Sequence, residues 1–339
     1  MSQLDIDGLT LRCARGEDDL PALARVRWAC SMVDRVDPLS IVQRVPAAED
    51  LRGDLAAEDG YDPRQDLRVA ECSGLVTGYG LVTWWVEADG ARVFLALGWV
   101  DPAWRKRGIG TKLLHWAERR CREIDAAFPG PGPAFYGGNA SDTELDAAQL
   151  LRNEGYRVFF TLLEMGLEDW QDLPDPTLPS GFVSRPLSPL DLPELFHSMN
   201  SSYSDHPYSS VLRFENWAVH QTDLSSWHVA WDEQSGRIAA QVQALVRDGR
   251  PEIKEVSVRS TYRRRGLARA LIGQGLLALR TQSAGLPRLR TLEENPQQAW
   301  RLYESVGFRV VKRFPRYRKE LTENVGQGDK LNGWQEHRL

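Results

Sequence analysis

Short apolar stretches recur at matching places in the two halves of this chain. They run over Leu67–Cys72, Gly78–Val86 and Val93–Val100 in the first half, and over Trp227–Asp232, Arg237–Val246 and Glu252–Val258 in the second. Stretches this short, rich in Val, Leu, Ile and Trp and closed off by Gly, Asp or Pro, predict β-strands. After the last strand of each half the spacing changes. Leu113, Ala117, Cys121 and Ile124, and then Leu267, Leu271, Gly275 and Ala278, recur every three or four residues, the period of a helix with one buried face. Further helical segments precede the strands in each half. The implied architecture is α/β (α+β): in each half a mixed, twisted sheet flanked by helices.

The two halves also match residue by residue. LTLRCARGEDDLPAL (Leu9–Leu23) resembles GFVSRPLSPLDLPEL (Gly181–Leu195), VDPAWRKRGIGTKLL (Val100–Leu114) resembles VRSTYRRRGLARALI (Val258–Ile272), and LLRNEGYRV (Leu150–Val158) resembles LYESVGFRV (Leu302–Val310). The order is the same in both copies, as a tandem duplication requires. The division expected is a first domain over residues 1–168, a linker over 169–181 and a second domain over 182–322. Pro174, Pro176 and Pro179 block both helix and sheet ladders in the linker. Residues 323–339 are polar and aperiodic, and are expected to form a flexible tail.

Composition narrows the function. With 339 residues, 42% of them hydrophobic, the chain can bury two ordinary cores. Its net charge of −5 argues against a dedicated nucleic-acid binder. Cys13, Cys30, Cys72 and Cys121 form no C-x-x-C pair, and the histidines show no H-x-x-x-H spacing, so neither a disulfide framework nor a metal site is expected. No apolar run approaches the roughly 18 residues of a membrane span. The opening MSQLDIDGLT is too acidic and polar for a secretory leader. The expectation is a cytoplasmic protein, monomer or homodimer, with no membrane or nucleic-acid partner.

The chemistry is concentrated in R-x-x-G-x-G/A, present as Arg105-Lys106-Arg107-Gly108-Ile109-Gly110 and as Arg263-Arg264-Arg265-Gly266-Leu267-Ala268. Each copy follows a strand, opens a helix, and has a valine five residues upstream (Val100, Val258). Small residues at a helix N-terminus leave amide N–H groups and the positive end of the helix dipole facing outward, which makes an anion site. Glycine lets the backbone approach phosphate oxygens that a Cβ would hold off. No G-K-[ST] follows, so this is not a P-loop, and it is not the dinucleotide G-x-G-x-x-G.

This strand–V-x-x-x-x-R-x-x-G-x-G/A–helix pattern resembles the acetyl-CoA signature of the GNAT acyltransferase superfamily. The second copy adds N-x-x-x-A-x-x-L-Y-E-x-x-G-F over Asn295–Phe308, similar to the closing element of that family. The layout is similar to that of the mycothiol synthase-like double-GNAT enzymes. The resemblance implies two tandem acyl-CoA N-acyltransferase folds, with acetyl-CoA as cosubstrate, no metal, and an amine of a small molecule or peptide as acceptor. It places the pantetheine arm along Val256, Ser257 and Val258, the pyrophosphate on Arg263, Arg264, Arg265, Gly266, Leu267, Ala268 and Arg269, and Asn295 and Ala299 beside the arm. The counterparts in the first copy are Gly98, Trp99 and Val100, then Lys106, Arg107, Gly108, Ile109, Gly110 and Thr111.

Acetyl transfer to an amine needs a base for the ammonium, donors for the oxyanion and an acid for the departing thiolate. Tyr303 matches the family position of the acid, and the Val256 amide is the candidate oxyanion donor. The strand supplies two candidate bases, Glu252 and Glu255; they face opposite sides unless a bulge intervenes. His206 and His228 are remoter candidates. The first copy has Leu151 at the tyrosine position and no carboxylate on Arg92–Gly98, so it is expected to be catalytically degenerate. The tryptophans, Trp99, Trp217, Trp227 and Trp231 among them, are expected mainly in cores. A non-catalytic acyl-CoA sensor or scaffold is the alternative function, against which Tyr303 and Glu252 argue.

Overall fold

The computed structural model describes residues 8–45, 47–57, 60–202, 213–283 and 285–321. The first half runs β1 (Leu9–Cys13), α1 (Leu20–Val33), α2 (Ala48–Leu55), α3 (Pro63–Asp66), β2 (Leu67–Cys72), β3 (Leu75–Val86), β4 (Arg92–Val100), α4 (Ile109–Ala127), β5 (Ala134–Asn139), α5 (Leu145–Asn153) and β6 (Arg157–Leu167). The second runs β7 (Phe182–Ser184), α6 (Leu192–Ser202), α7 (Phe214–Ala218), β8 (Trp227–Asp232), β9 (Ile238–Arg247), β10 (Arg250–Val258), α8 (Leu267–Gln282), β11 (Arg288–Leu292), α9 (Ala299–Glu304) and β12 (Phe308–Glu320). The strands expected from hydrophobic pattern appear within three residues of their expected ends. The tail over 323–339 and His206 lie outside the described residues.

The twelve strands of the described residues form one sheet, in the order β1-β2-β3-β4-β5-β12-β6-β11-β10-β9-β8-β7. The halves therefore do not close separately. β12, from the second half, pairs antiparallel with β5 of the first (Arg316↔Asn139 to Glu320↔Phe135), while β6 of the first pairs with β11 of the second (Arg288↔Gly166 to Leu292↔Leu162). The two exchanged strands pair with each other from Phe308↔Leu167 to Arg318↔Arg157. The order is a near palindrome, as a duplicated unit related by a local two-fold gives.

Helices cover both faces. α8 packs Leu267, Leu271, Ile272, Leu276 and Leu279 against Val242, Ala244 and Ile253 of the sheet, and Leu195 of α6 joins Trp227, Val229 and Trp231 in a separate cluster. α4 plays the part of α8 in the first half, with Leu114, Ala117, Cys121 and Ile124 over Val82 and Phe94. The proline-rich connection is extended but not loose. It lies on α8, where Gln274 donates to the Pro176 carbonyl at 2.9 Å and a Cβ on Gly273 would sit 2.5 Å from the Pro174 oxygen. Trp170, Leu173 and Leu178 pack against the same cluster.

A charged knot ties the halves at the exchange. Glu164 of β6 is fully buried; it accepts from the Ser40 hydroxyl at 2.6 Å, the Ile41 amide at 2.8 Å and Arg288 of β11 at 3.0 Å. Arg288 also reaches Asp37 at 2.6 Å. Buried ions persist only when so saturated with partners.

Candidate active site

The two signature turns adopt the same geometry. Lys106 and Arg264 take φ of 62° and 63°, and the N-cap glycines Gly108 and Gly266 take 86° and 85°, conformations an L side chain resists. The first helical bonds run from Lys112 to Gly108 and from Ala270 to Gly266, and neither N-cap has a side-chain cap. The amides of Gly108–Thr111 and of Gly266–Arg269 therefore lack intrahelical acceptors and face outward, which is the anion-binding condition. The spacing to the upstream valine that the two copies share has a mechanical reason. Arg105 Nε donates to the Val100 carbonyl at 3.2 Å, and Arg263 Nε to the Val258 carbonyl at 3.3 Å, pinning each turn to its strand. Arg105 is further clamped by Asp34 at 2.6 and 2.7 Å, and Arg263 donates to the Ser202 carbonyl at 2.9 Å. These two guanidinium groups are braces of the turn.

In the second lobe the strand below the turn is bulged. The pairing of β10 with β9 slips between Ile253 and Glu255, leaving Lys254 as the extra residue. That extra residue resets the period-two alternation. Ile253 and Val256 both pack toward α8, so Glu252 and Glu255 share the opposite face. Beyond Ile253↔Leu289 the parallel pairing of β10 with β11 stops and a cleft opens. The Arg259 amide bonds Ala239 opposite it at 3.0 Å, so by the alternation of an antiparallel ladder the backbone groups of Val256 and Val258 point away from β9, into that cleft.

A cavity of about 600 Å³ fills the cleft. Val256, Ser257, Val258, Arg263, Arg264, Gly266, Leu267, Ala268, Arg269, Asn295, Ala299 and Tyr303 all line it, joined by Ser202, Gln298 and Arg301, which carry no sequence signal. Arg265 does not; its guanidinium lies over Tyr262 at 5.4 Å and donates to the Thr261 carbonyl at 3.3 Å. Asn295 is occupied in a turn, accepting from the Gln297 amide at 2.8 Å. The Tyr303 ring is buried, and desolvation, then the Glu255 charge, push its phenol up, so it holds its proton at neutral pH. Glu252 is buried and ion-paired with Arg247 at 3.2 Å; neither glutamate is in the cavity lining. His228 is remote from both. Its ring packs under α8, 3.5 Å from where a Cβ on Gly275 would be, on the face opposite the glutamates.

The first lobe repeats the cleft with differences. A cavity of about 350 Å³ is lined by Gly98, Trp99, Val100, Lys106, Gly108, Gly110 and Thr111, but not by Arg107, which lies over Trp104 at 4.9 Å, nor by Ile109, which is buried in the core. Asp101 bonds Thr77 at 2.8 Å, so Gly98 and Val100 turn their backbone groups into the cleft as their counterparts do. The β3–β4 register is unbroken from Val86↔Arg92 to Gly78↔Val100, so there is no bulge. Leu151 is buried where the second lobe has Tyr303. Sequence reading passed over Cys30, Asp34 and Glu144, which also line this cavity; they come from outside the signature, and only the fold delivers them. Among the described residues no group of His, Cys, Asp and Glu could hold a metal, and no helix is long and apolar enough to cross a membrane.

Two splayed strands, each feeding an amide-lined helix N-terminus, give the two halves of this duplicated protein the same cleft. Residues 37–128 and 191–308 match the Acetyltransferase (GNAT) family. The chain belongs to that family, and it is an N-acetyltransferase of the tandem, two-GNAT kind. It is 28% identical over 315 residues to the mycothiol acetyltransferase of Salinispora arenicola, covering 85% of this chain and 94% of that protein. The mycothiol acetyltransferase of Salinispora tropica is likewise 28% identical over 304 residues, 86% and 89% of the two chains. A GCN5-related N-acetyltransferase from Sphaerobacter thermophilus superposes with a TM-score of 0.75 at 25% identity, over 94% of this chain and 97% of its own. A tandem GNAT protein from the clavulanic acid biosynthesis pathway superposes with a TM-score of 0.61 at 16% identity, over 95% and 100%.

Proposed function

We propose that the second lobe transfers acetyl from acetyl-CoA to a primary amine of a small molecule or peptide, and that the first lobe lacks the catalytic groups. The supporting observation is the bulge at Lys254, which puts Glu252 and Glu255 on one face of the strand whose Val256 backbone points into the cleft. When bound, acetyl-CoA supplies the activated acyl group. The outward amides of Gly266–Arg269 hold its pyrophosphate, and the backbone of Val256 and Val258 extends the sheet along the pantetheine arm. The Val256 amide stabilises the oxyanion. Glu255, whose charge reaches Tyr303, takes the ammonium proton, and Glu252 behind it, paired with Arg247, keeps that face acidic. Tyr303, kept protonated by burial, gives its proton to the leaving thiolate. The first lobe offers the same cradle without the bulge, the strand glutamates or the tyrosine at the Leu151 position.

The mycothiol acetyltransferases span nearly the whole chain, so their acceptor heads the amine screen. The test is free-thiol release from acetyl-CoA across amine classes, in wild type and in two variants. Gly266→Asp puts a carboxylate against the pyrophosphate and abolishes turnover, while Gly108→Asp leaves substantial activity. Equal loss from both, with folding intact, refutes the division of labour between the lobes.

A further inference from the structure

The first lobe contains a second cavity, of about 260 Å³, which shares Cys30, Asp34, Gly98, Trp99, Asn139 and Glu144 with the cleft described above. None of the turn residues from Arg105 to Thr111 lines it. Its walls are built by both halves of the chain: Arg27 of α1, Val42, Trp99 of β4, Glu144, and Phe314 and Arg316 of the exchanged strand β12. The backbone of Arg316 is paired on both sides, opposite Asn139 of β5 and Phe160 of β6.

The charge balance in this cavity does not close. Asp34 is spent on Arg105, and the Glu144 carboxylate accepts from the Ser141 amide and hydroxyl, both at 2.7 Å. Arg316 makes no hydrogen bond or ion pair among the described residues; its one ring contact is Phe314, at 6.0 Å. Desolvation pushes its guanidinium down, opposed only by the charge of Glu144. Arg27 is not ion-paired among the described residues either; it stacks on Trp99 at 3.8 Å and makes a long contact of 3.4 Å to the Tyr79 hydroxyl. Glu144 and Asp54 act on these guanidinium groups only through their charge, and neither arginine bonds a carboxylate among the described residues, so both forks are open to an anion; a guanidinium fork matches a carboxylate or phosphate bidentately.

We infer that this cavity is a binding site for a small organic anion, a carboxylate or a phosphate ester with an apolar body, gripped between Arg27 and Arg316 and packed on Trp99, Phe314 and Val42. The inference is independent of the acetyl-transfer reading of the second lobe. Because Arg316 belongs to the exchanged strand, the bound anion also fastens the two halves together, and occupancy raises the melting temperature of the whole chain.

Isothermal titration of the full chain at constant ionic strength tests this with two probes, benzoate for the carboxylate arm and inorganic phosphate for the phosphate arm. At least one probe is expected to saturate a single site, and which one does so assigns the anion class. Arg316→Gln and Arg27→Gln are each expected to weaken that site at least tenfold. Arg280→Gln, a charge removal on the exposed end of α8, leaves it unchanged. If Arg316→Gln fails to fold, Arg27→Gln, which lies outside the sheet, decides alone. Absence of saturation with both probes, or wild-type affinity in the folded arginine variants, overturns the assignment.

Discussion

Arg288→Met removes the one cation that, among the described residues, touches Glu164. The carboxylate keeps the Ser40 hydroxyl and the Ile41 amide but loses its counter-charge, and it has no exposure to water. Asp37 loses its partner in the same step. Breaking one side of a buried ion pair costs about 3–5 kcal/mol. If the twelve-stranded sheet melts as one unit of 339 residues, the unfolding entropy is about 0.7 kcal/mol/K, and the melting temperature falls by about 4–7 °C. If each half melts alone, the entropy per unit halves and the shift doubles to about 8–14 °C, with a second transition left unmoved. Scanning calorimetry separates these cases. Adding Glu164→Gln to Arg288→Met should recover about 1–3 kcal/mol, because the unpaired charge is then gone. A melting temperature within about 1 °C of wild type for Arg288→Met would refute the reasoning that the knot stabilises the exchange.

Tyr303→Phe removes a hydroxyl and preserves packing; kcat should drop roughly 10²–10⁴-fold with acetyl-CoA affinity little changed, and a variant that keeps its rate but loses thermal stability would make the residue structural. Burial holds His228 neutral in the folded protein, below its ordinary pKa of 6.5. The unfolded chain takes up that proton as pH falls through 6.5, so stability present above this pH is lost below it, by up to about 1.4 kcal/mol per pH unit. Denaturant midpoints should show that slope flattened in His228→Gln; an unchanged slope would assign the titration elsewhere. Gly273→Ala drives a Cβ into the Pro174 carbonyl and should lift the connection off α8, read as faster proteolysis within 168–181 at unchanged turnover. No change in cleavage rate would mean the connection gives way locally.

The duplication, the strand positions and the two glycine turns at the helix N-termini were all legible in the sequence, because each rests on short-range physics. Period-two and period-3.6 patterns write burial directly into residue order. A turn that needs left-handed backbone at Gly108 and Gly266 advertises itself by its glycine. Even the valine five residues ahead of each arginine records a local contact, the guanidinium returning to its carbonyl. The sequence also named both glutamates and stated the condition under which they could act together, a bulge. Whether that bulge exists was decided by the pairing of β10 with β9, since register belongs to two strands at once and no single stretch encodes it. The exchange of β6 and β12 was out of reach for the same reason. Both copies offer equivalent strands, and residue order does not say whether a terminal strand completes its own half or the other. Only the folded sheet makes that choice, and with it brings Arg316 from the second half into a cavity of the first.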